Sequence, residues 1–184
     1  MRSISDTETP QGVLAVVNLP DTPLLVFNAT DGFALVLDGV RDPGNVGTLI
    51  RAAAAADCGA VVTIAGSADA FAPKVVRSAM GAHFRVPVVA DVEWEAIGPA
   101  VAALPSVVGA DGASPLPYDA IDWTRGCAVV IGNEDHGLSA DARRWCTATA
   151  RIPMARGVES LNASIAGAVL LYEVVRQRRR ARTA

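Results

Sequence analysis

The chain has 184 residues, enough for one domain with a sizeable core, and its composition is globular, 51% hydrophobic and 19% charged. A net charge of -3 argues against a stand-alone nucleic-acid-binding domain, which is usually basic, although every cationic side chain except Lys74 is arginine, the residue suited to bidentate phosphate contacts. No apolar run reaches the length of a membrane span, no signal-peptide pattern opens the chain, and Cys58, Cys127, Cys146, His83 and His136 are too scattered for a disulfide framework or a metal site, so a cytoplasmic protein with no metal and no membrane partner is expected.

Residues 1–12 are polar and read as a flexible entry, with residues 13–184 as one domain. Val13–Val17 and Leu24–Phe27 are short apolar runs interrupted by Pro20 and Pro23, readable as strands or hairpin arms. A regular alternation follows. Phe33–Leu37 is a compact strand, and Asp42 then caps a helix with Pro43 at its first position, running to about Asp57. Ala60–Ile64 is a strand, Pro73–Ala79 a short helix, Val86–Val89 a strand, Val92–Ala103 a helix and Ser106–Gly109 a strand. After a proline-rich loop over Asp111–Trp123 come a strand at Cys127–Ile131, a helix at Ser139–Cys146 capped by Ser139, and a short strand at Thr149–Ile152. The last helix, entered near Leu161, is apolar on almost every side and ends in an arginine-rich tail. Such a helix is expected to be buried all round, against the core and against a partner subunit. Strands alternating with helices predict an α/β fold with a parallel sheet covered on both faces, whose ligands sit beyond the carboxyl ends of the strands.

The residues at those strand ends carry the candidate chemistry. Gly44 and Gly47 after the first strand invite a dinucleotide-binding reading, but the Gly-x-Gly-x-x-Gly fingerprint is absent. Asn45 and Arg51 are six residues apart, roughly 120° around an ideal helix, and share a ligand only if Asn45 lies in the non-helical entry; otherwise they read as a turn cap and a surface arginine. After Cys127–Ile131, Gly132 and Gly137 bracket a loop holding Asn133, Glu134 and His136. Glu134 reads as a loop-holding or solvated acid, and nothing in the sequence orients His136 as a base. After Ile152 come Pro153 and Met154, then Glu159, Ser160, Leu161 and Asn162 at the mouth of the last helix. There Ser160 and Asn162 read as helix caps beside free N–H groups that also bind ligand oxygens. Lys74, Arg77 and Arg85 form a cluster of candidate phosphate contacts.

Taken together, three segments resemble the motifs of the SpoU/TrmH family, RNA ribose 2'-O-methyltransferases of the SPOUT superfamily. They are Asp42-Pro-Gly-Asn-Val-Gly with Arg51, Ile131-Gly-Asn-Glu-Asp-His-Gly-Leu-Ser, and Ile152-Pro-Met followed by Glu159-Ser-Leu-Asn-Ala-Ser. The resemblance runs from about Phe33 to Arg178. It implies an α/β domain with a C-terminal trefoil knot, which general topology rules would not predict, and a homodimer packed partly through the last helix. It implies S-adenosylmethionine as cofactor, held by Gly109, Gly132, Ile152 and Leu161, with Ile131, Asn133, Gly137 and Met154 in the same motifs. Asn45, Arg51, Glu134, Ser160 and Asn162 fall on the family's catalytic positions.

The segment from Asp6 to Val16 resembles the linker that follows a small N-terminal RNA-binding domain in rRNA-modifying members. That domain is therefore expected to be absent here, and rRNA is favoured over tRNA as substrate. The competing readings are a non-catalytic RNA-binding module that keeps the fold, and a nicotinamide-dependent oxidoreductase, which fails on the missing fingerprint.

Overall fold

The computed structural model describes Gly12, residues 15–19 and residues 32–183. The Leu24–Phe27 run lies outside the described residues, Val13–Val17 lies partly outside them, and residues 15–17 form no strand.

Six strands form one parallel sheet: β1 (Phe33–Asp38), β2 (Ala60–Ile64), β3 (Val88–Val92), β4 (Ser106–Ala110), β5 (Cys127–Gly132) and β6 (Ala148–Ala150), in the order β3-β2-β1-β5-β4-β6. Five helices connect and cover them: α1 (Pro43–Ala55), α2 (Pro73–Ala79), α3 (Trp94–Ala102), α4 (Ala140–Trp145) and α5 (Ala163–Thr183). Alternate residues of β1 feed two cores. Phe33, Leu35 and Leu37 join Leu49, Ile50, Val75, Leu170 and Leu171, so α1, α2 and α5 cover one face. Ala34 and Val36 join Trp94, Ile97, Val101 and Ala142, so α3 and α4 cover the other. A central strand buried on both faces is apolar along its length, which accounts for the unbroken apolar run Phe33–Leu37 in β1.

The helix starts follow the expected capping chemistry. Asp42 accepts from the Asn45 amide at 2.8 Å with Pro43 in the first turn, and Ser139 accepts from the Ala142 amide at 3.0 Å. Several boundaries differ from expectation. The third strand runs over Val88–Val92 rather than Val86–Val89, because its register against β2 shifts between Val62 and Ile64 and carries the pairing to Val92. The helix expected at Val92–Ala103 therefore begins only at Trp94, and the strand expected at Thr149–Ile152 is Ala148–Ala150. The last helix begins at Ala163 rather than near Leu161. Within the single chain, Gly167, Leu170, Leu171 and Val174 face the core, while Ile165 and Tyr172 are 51% and 52% exposed. Among the described residues, no helix is long and apolar enough to cross a membrane, and no cluster of His, Cys, Asp and Glu could hold a metal ion.

The strand order reverses at β1 and β5. From β1 the chain moves through α1 towards β2 on one side, and from β5 it moves through α4 towards β6 on the other. A crevice opens where two connections diverge, at the carboxyl ends of these strands.

Candidate active site

Glu134 ties that crevice together. Its carboxylate accepts hydrogen bonds from the backbone amides of Arg41 (3.1 Å) and Asp42 (3.2 Å) and from the Asn45 side-chain amide (2.9 Å). The loop after β5 is thereby fastened to the start of α1. Burial works to raise the Glu134 carboxyl, but the bonds from Asn45 and from the Arg41 and Asp42 amides outweigh it and hold the acid below the usual carboxylate range. Asn133 adds a second fastening by donating to the Gly39 carbonyl at 2.8 Å. The loop itself is closed by paired backbone bonds between Asn133 and Gly137, each 2.9 Å. A Cβ on Gly132 would overlap the Gly137 backbone, and Gly137 has φ +67, so both glycines are required by the turn.

Asn45 passes the connection on. Its Oδ1 accepts from the Asn162 side-chain amide at 3.0 Å. The Asn162 Oδ1 in turn accepts from the Ser164 amide (2.9 Å), the Ser164 hydroxyl (2.6 Å) and the Ile165 amide (3.3 Å) at the start of α5. Asn162 thus caps α5 with its oxygen and reaches α1 with its nitrogen. Glu134, Asn45 and Asn162 come from three distant segments and form one hydrogen-bonded row.

Beside this row lies a cavity of about 530 Å³. Ala110, Asp111 and Gly112 line it at the end of β4, Ile131 to Glu134 and Gly137 at the end of β5, and Ala150 to Ile152 at the end of β6; Met154 and Val158 to Ala163 line it as well, with Ala166 of α5. Its volume is within the range typical of ligand pockets. The loop after β4 is fixed against β6: the Asp111 amide donates to the Ala150 carbonyl (2.9 Å), and the Ser114 hydroxyl donates to the Thr149 carbonyl (2.7 Å). Arg143 pairs with Asp111 at 2.8 Å, and its hydrogen bond holds that carboxyl below the usual range.

Of the residues singled out in the sequence, Ile131, Gly132, Asn133, Glu134, Gly137, Ile152, Met154, Ser160, Leu161 and Asn162 all line this cavity. Gly109 does not; a Cβ there would meet Leu138 and Cys146, so it makes room for the core instead. Asn45 lies within helix α1, so α1 alone does not turn Asn45 and Arg51 towards one point. Arg51 is exposed and stands outside the cavity lining. His136 borders a neighbouring cavity with Arg41, Trp94 and Ser139.

A further bracket, centred on Asp38, escaped sequence reasoning. Asp38 is 3% exposed and accepts from the Trp94 indole (2.9 Å), the Ser139 amide (2.7 Å) and the Ser139 hydroxyl (2.9 Å). It locks α3 and α4 to the end of β1 and so sets the far end of the loop that carries Glu134. The available signal was an acid at the end of a strand otherwise wholly apolar.

The model of the SpoU rRNA Methylase family matches residues 32–172. The chain is 34% identical over 230 residues to mouse "rRNA methyltransferase 3, mitochondrial", covering 95% of the chain but only 55% of that relative, so it spans about half the length of the first curated relatives it matches. It is 37% identical to the Bacillus subtilis 23S rRNA (guanosine(2553)-2'-O)-methyltransferase, covering 94% of the chain and 68% of that protein. Among solved structures, the SpoU methyltransferase AviRb from Streptomyces viridochromogenes, in complex with AdoMet, superposes with a TM-score of 0.81 at 34% identity, over 87% of this chain and 63% of that one. Sequence match, shared sheet and the row of residues at the strand ends converge: this chain belongs to the SpoU rRNA Methylase family.

Proposed function

We propose that the chain transfers a methyl group from S-adenosylmethionine to a ribose 2'-hydroxyl of rRNA. The observation that carries this reading is the Glu134–Asn45–Asn162 row set against the cavity at the ends of β4, β5 and β6. The names of the relatives point the same way: the Bacillus subtilis protein is a 23S rRNA 2'-O-methyltransferase, and AviRb is described with AdoMet bound.

The cavity suits such a cofactor. Ile131, Ile152, Met154, Leu161 and Ala166 provide an apolar floor for a purine, and the glycine backbone after β5 offers polar atoms without an intervening side chain. Asp111, Glu134 and Glu159 in the lining favour a ligand bearing a cationic sulfonium, while Arg151, the lone cation among the described lining residues, is engaged by the Ser114 and Pro115 carbonyls. When bound, the sulfonium supplies an electrophilic methyl group.

The protein's own residues position the nucleophile. Arg51 cannot act as a base, since a guanidinium offers only N–H donors and no acceptor. It serves as a clamp on an RNA phosphate and stabilises charge developing on the 2'-oxygen, while the hydroxyl proton passes to a phosphate oxygen of the RNA. Glu134 is a poor base as well, because its hydrogen bonds favour the charged form and depress its proton affinity. Its part is to hold the loop. Asn45 gives one N–H to Glu134 and takes one hydrogen bond from Asn162, which leaves a second N–H to orient the ribose or Arg51. Ser160 and Asn162 shape the cavity floor.

A C-terminal trefoil knot and a homodimer complete the reading. The outward stripe of α5, with Ile165 and Tyr172 half exposed, is the surface for the second copy. The site residues lie within residues 13–184, read as the catalytic domain, and the three free thiols suit a reducing cytoplasm. The test is radiolabelled methyl transfer from S-adenosylmethionine to total rRNA and to total tRNA, followed by digestion to nucleosides. Labelled 2'-O-methylnucleoside from rRNA is expected. Label on a base, or on tRNA alone, replaces the substrate assignment, and bound cofactor without transfer to either RNA favours a non-catalytic RNA-binding role.

A further inference from the structure

Away from the cavity, one surface combines exposed apolar groups with a one-sided charge. Phe84 is 84% exposed, Met80 73% and Val76 42%. Val76 lies in α2, Met80 directly follows its last residue, and Phe84 comes four residues later. Residues 70–90 contain no Asp or Glu, in a chain whose net charge is -3, yet they carry Lys74, Arg77 and Arg85, all exposed.

Phe84 is presented on a rigid turn. Met80 (φ +50) and Gly81 (φ +81) are both left-handed and stop α2, and a 3₁₀ turn follows over Ala82–Phe84. The turn is anchored inward. Ala82 is buried, and the His83 Nε2 donates to the Ala70 carbonyl at 2.8 Å with its ring 5.4 Å from Phe71. The Phe84 amide donates to the Gly81 carbonyl (3.2 Å) and the Arg85 amide to the Ala82 carbonyl (2.8 Å). A ring held out by a fixed backbone loses little freedom when something stacks on it.

The surface is continuous with the proposed chemistry. α2 packs on Gly47, where a Cβ would overlap Ser78 and the Val75 carbonyl, and the Ser78 hydroxyl donates to the Gly44 carbonyl at 3.0 Å. Arg51 stands four residues after Gly47, roughly 40° further round the helix, and so lies on the edge of α1 that adjoins α2. Lys74 stands in the first turn of α2 and Arg85 directly follows Phe84, and all three are exposed.

We propose that this face is where an unpaired stretch of the RNA substrate docks, with a base stacked on Phe84 and neighbouring phosphates on Lys74 and Arg85. The proposal rests on the RNA-methyltransferase reading above and adds which part of the RNA is held, and where. The occupant follows from chemistry. A basic rim selects a polyanion, and a protruding aromatic ring takes a base face that pairing and stacking would hide in a duplex. A second copy of the chain would bring the same positive charges against themselves.

The experiment measures binding of the full chain to fluorescein-labelled poly(U) and to a fully paired poly(A)·poly(U) duplex by anisotropy, across a salt series. Phe84→Ala is expected to weaken poly(U) binding about ten-fold and leave duplex binding within about two-fold. Lys74→Gln with Arg85→Gln is expected to weaken both and to flatten the salt dependence. Phe84→Leu, which keeps the apolar bulk, reads out stacking itself and should also weaken poly(U). Unchanged poly(U) affinity in Phe84→Ala overturns the proposal, as does an equal loss on duplex, or a change in sedimentation coefficient without a change in RNA binding. These readouts do not depend on methyl transfer, so a parent chain that binds poly(U) through Phe84 but methylates nothing counts against the activity and not against the surface.

Discussion

Two regions flank the start of α1, and they are organised in opposite ways. On the side of α5, Asn45 is 8% exposed and held between Glu134 and Asn162, so its amide is oriented before any substrate arrives. On the side of α2, Arg51, Lys74, Arg85 and Phe84 stand exposed. The first region is a pre-formed, hydrogen-bonded pocket; the second is an open surface of exposed cationic and aromatic side chains. Groups that must discriminate geometry within a small cavity are worth fixing in advance, because misplacement by about 1 Å is costly there. Groups that meet phosphates act at longer range through charge, and tolerate freedom until the polymer binds.

Substitutions can break this contrast. The largest effect is expected from Arg51→Ala. Single-turnover methyl transfer should fall by about 100-fold or more, as when a preorganised transition-state donor is removed, with S-adenosylmethionine affinity by calorimetry unchanged. Transfer at the parent rate would remove Arg51 from the chemistry. Leu161→Arg acts on the other region. Leu161 lines the cavity and is 37% exposed, so a charged chain there should abolish cofactor binding while circular dichroism and melting temperature stay near those of the parent. Retained affinity would place the cofactor elsewhere.

Asn162→Asp separates two roles of one side chain. The carboxylate still caps α5 but can no longer donate to Asn45, so turnover should drop roughly ten-fold while melting changes little. Asn162→Ala removes both roles and should also cost about 1 kcal/mol of stability, a few degrees in melting temperature. Turnover at the parent rate in Asn162→Asp would show that the Asn45 contact is dispensable.

The smallest effect concerns pH. The Glu134 carboxyl is depressed in the fold, so its contribution is fully present above the unfolded value near 4.5 and is lost as pH falls through the lower folded value. Glu134→Gln must turn a donor towards at least one amide that Glu134 accepts from, and at neutral pH it should melt lower by an amount corresponding to roughly 1 kcal/mol, since the group is solvent-exposed. The gap between variant and parent should narrow as pH falls below the unfolded value and close once pH is below the lower folded value. A gap that persists there would mean that packing, and not the charged acceptor, is what Glu134 provides.

Much of the fold could be read from local signals. The unbroken apolar run of β1, the Asp42-Pro43 start and the Ser139 cap each rest on a few neighbouring residues, and all three stand in the structure. Boundaries failed where tertiary pairing intervened, as when the register shift against β2 moved β3 to Val88–Val92. The candidate residues at the ends of β5 and β6 were legible because glycines, an acid and an amide crowd together just after apolar strands. Their partnership was not: Glu134 meets Asn45 across 89 positions, and Asn162 meets it across 117. Asp38 went unnoticed because its partners Trp94 and Ser139 are 56 and 101 residues away.

By itself the sequence determined the α/β alternation, the capped helix starts and the list of polar residues at the strand ends, since periodicity and capping are set by residues a few positions apart. Only the tertiary structure decided which of those residues share a hydrogen bond, that Asn162 caps α5 and donates to Asn45 at once, and that Arg51 stands outside the cavity lining. It also decided that the apolar stripe of Ile165 and Tyr172 faces outward. The reason is the strand order β3-β2-β1-β5-β4-β6, which sets distant loops side by side at the carboxyl ends of β1 and β5, and no local pattern encodes that order.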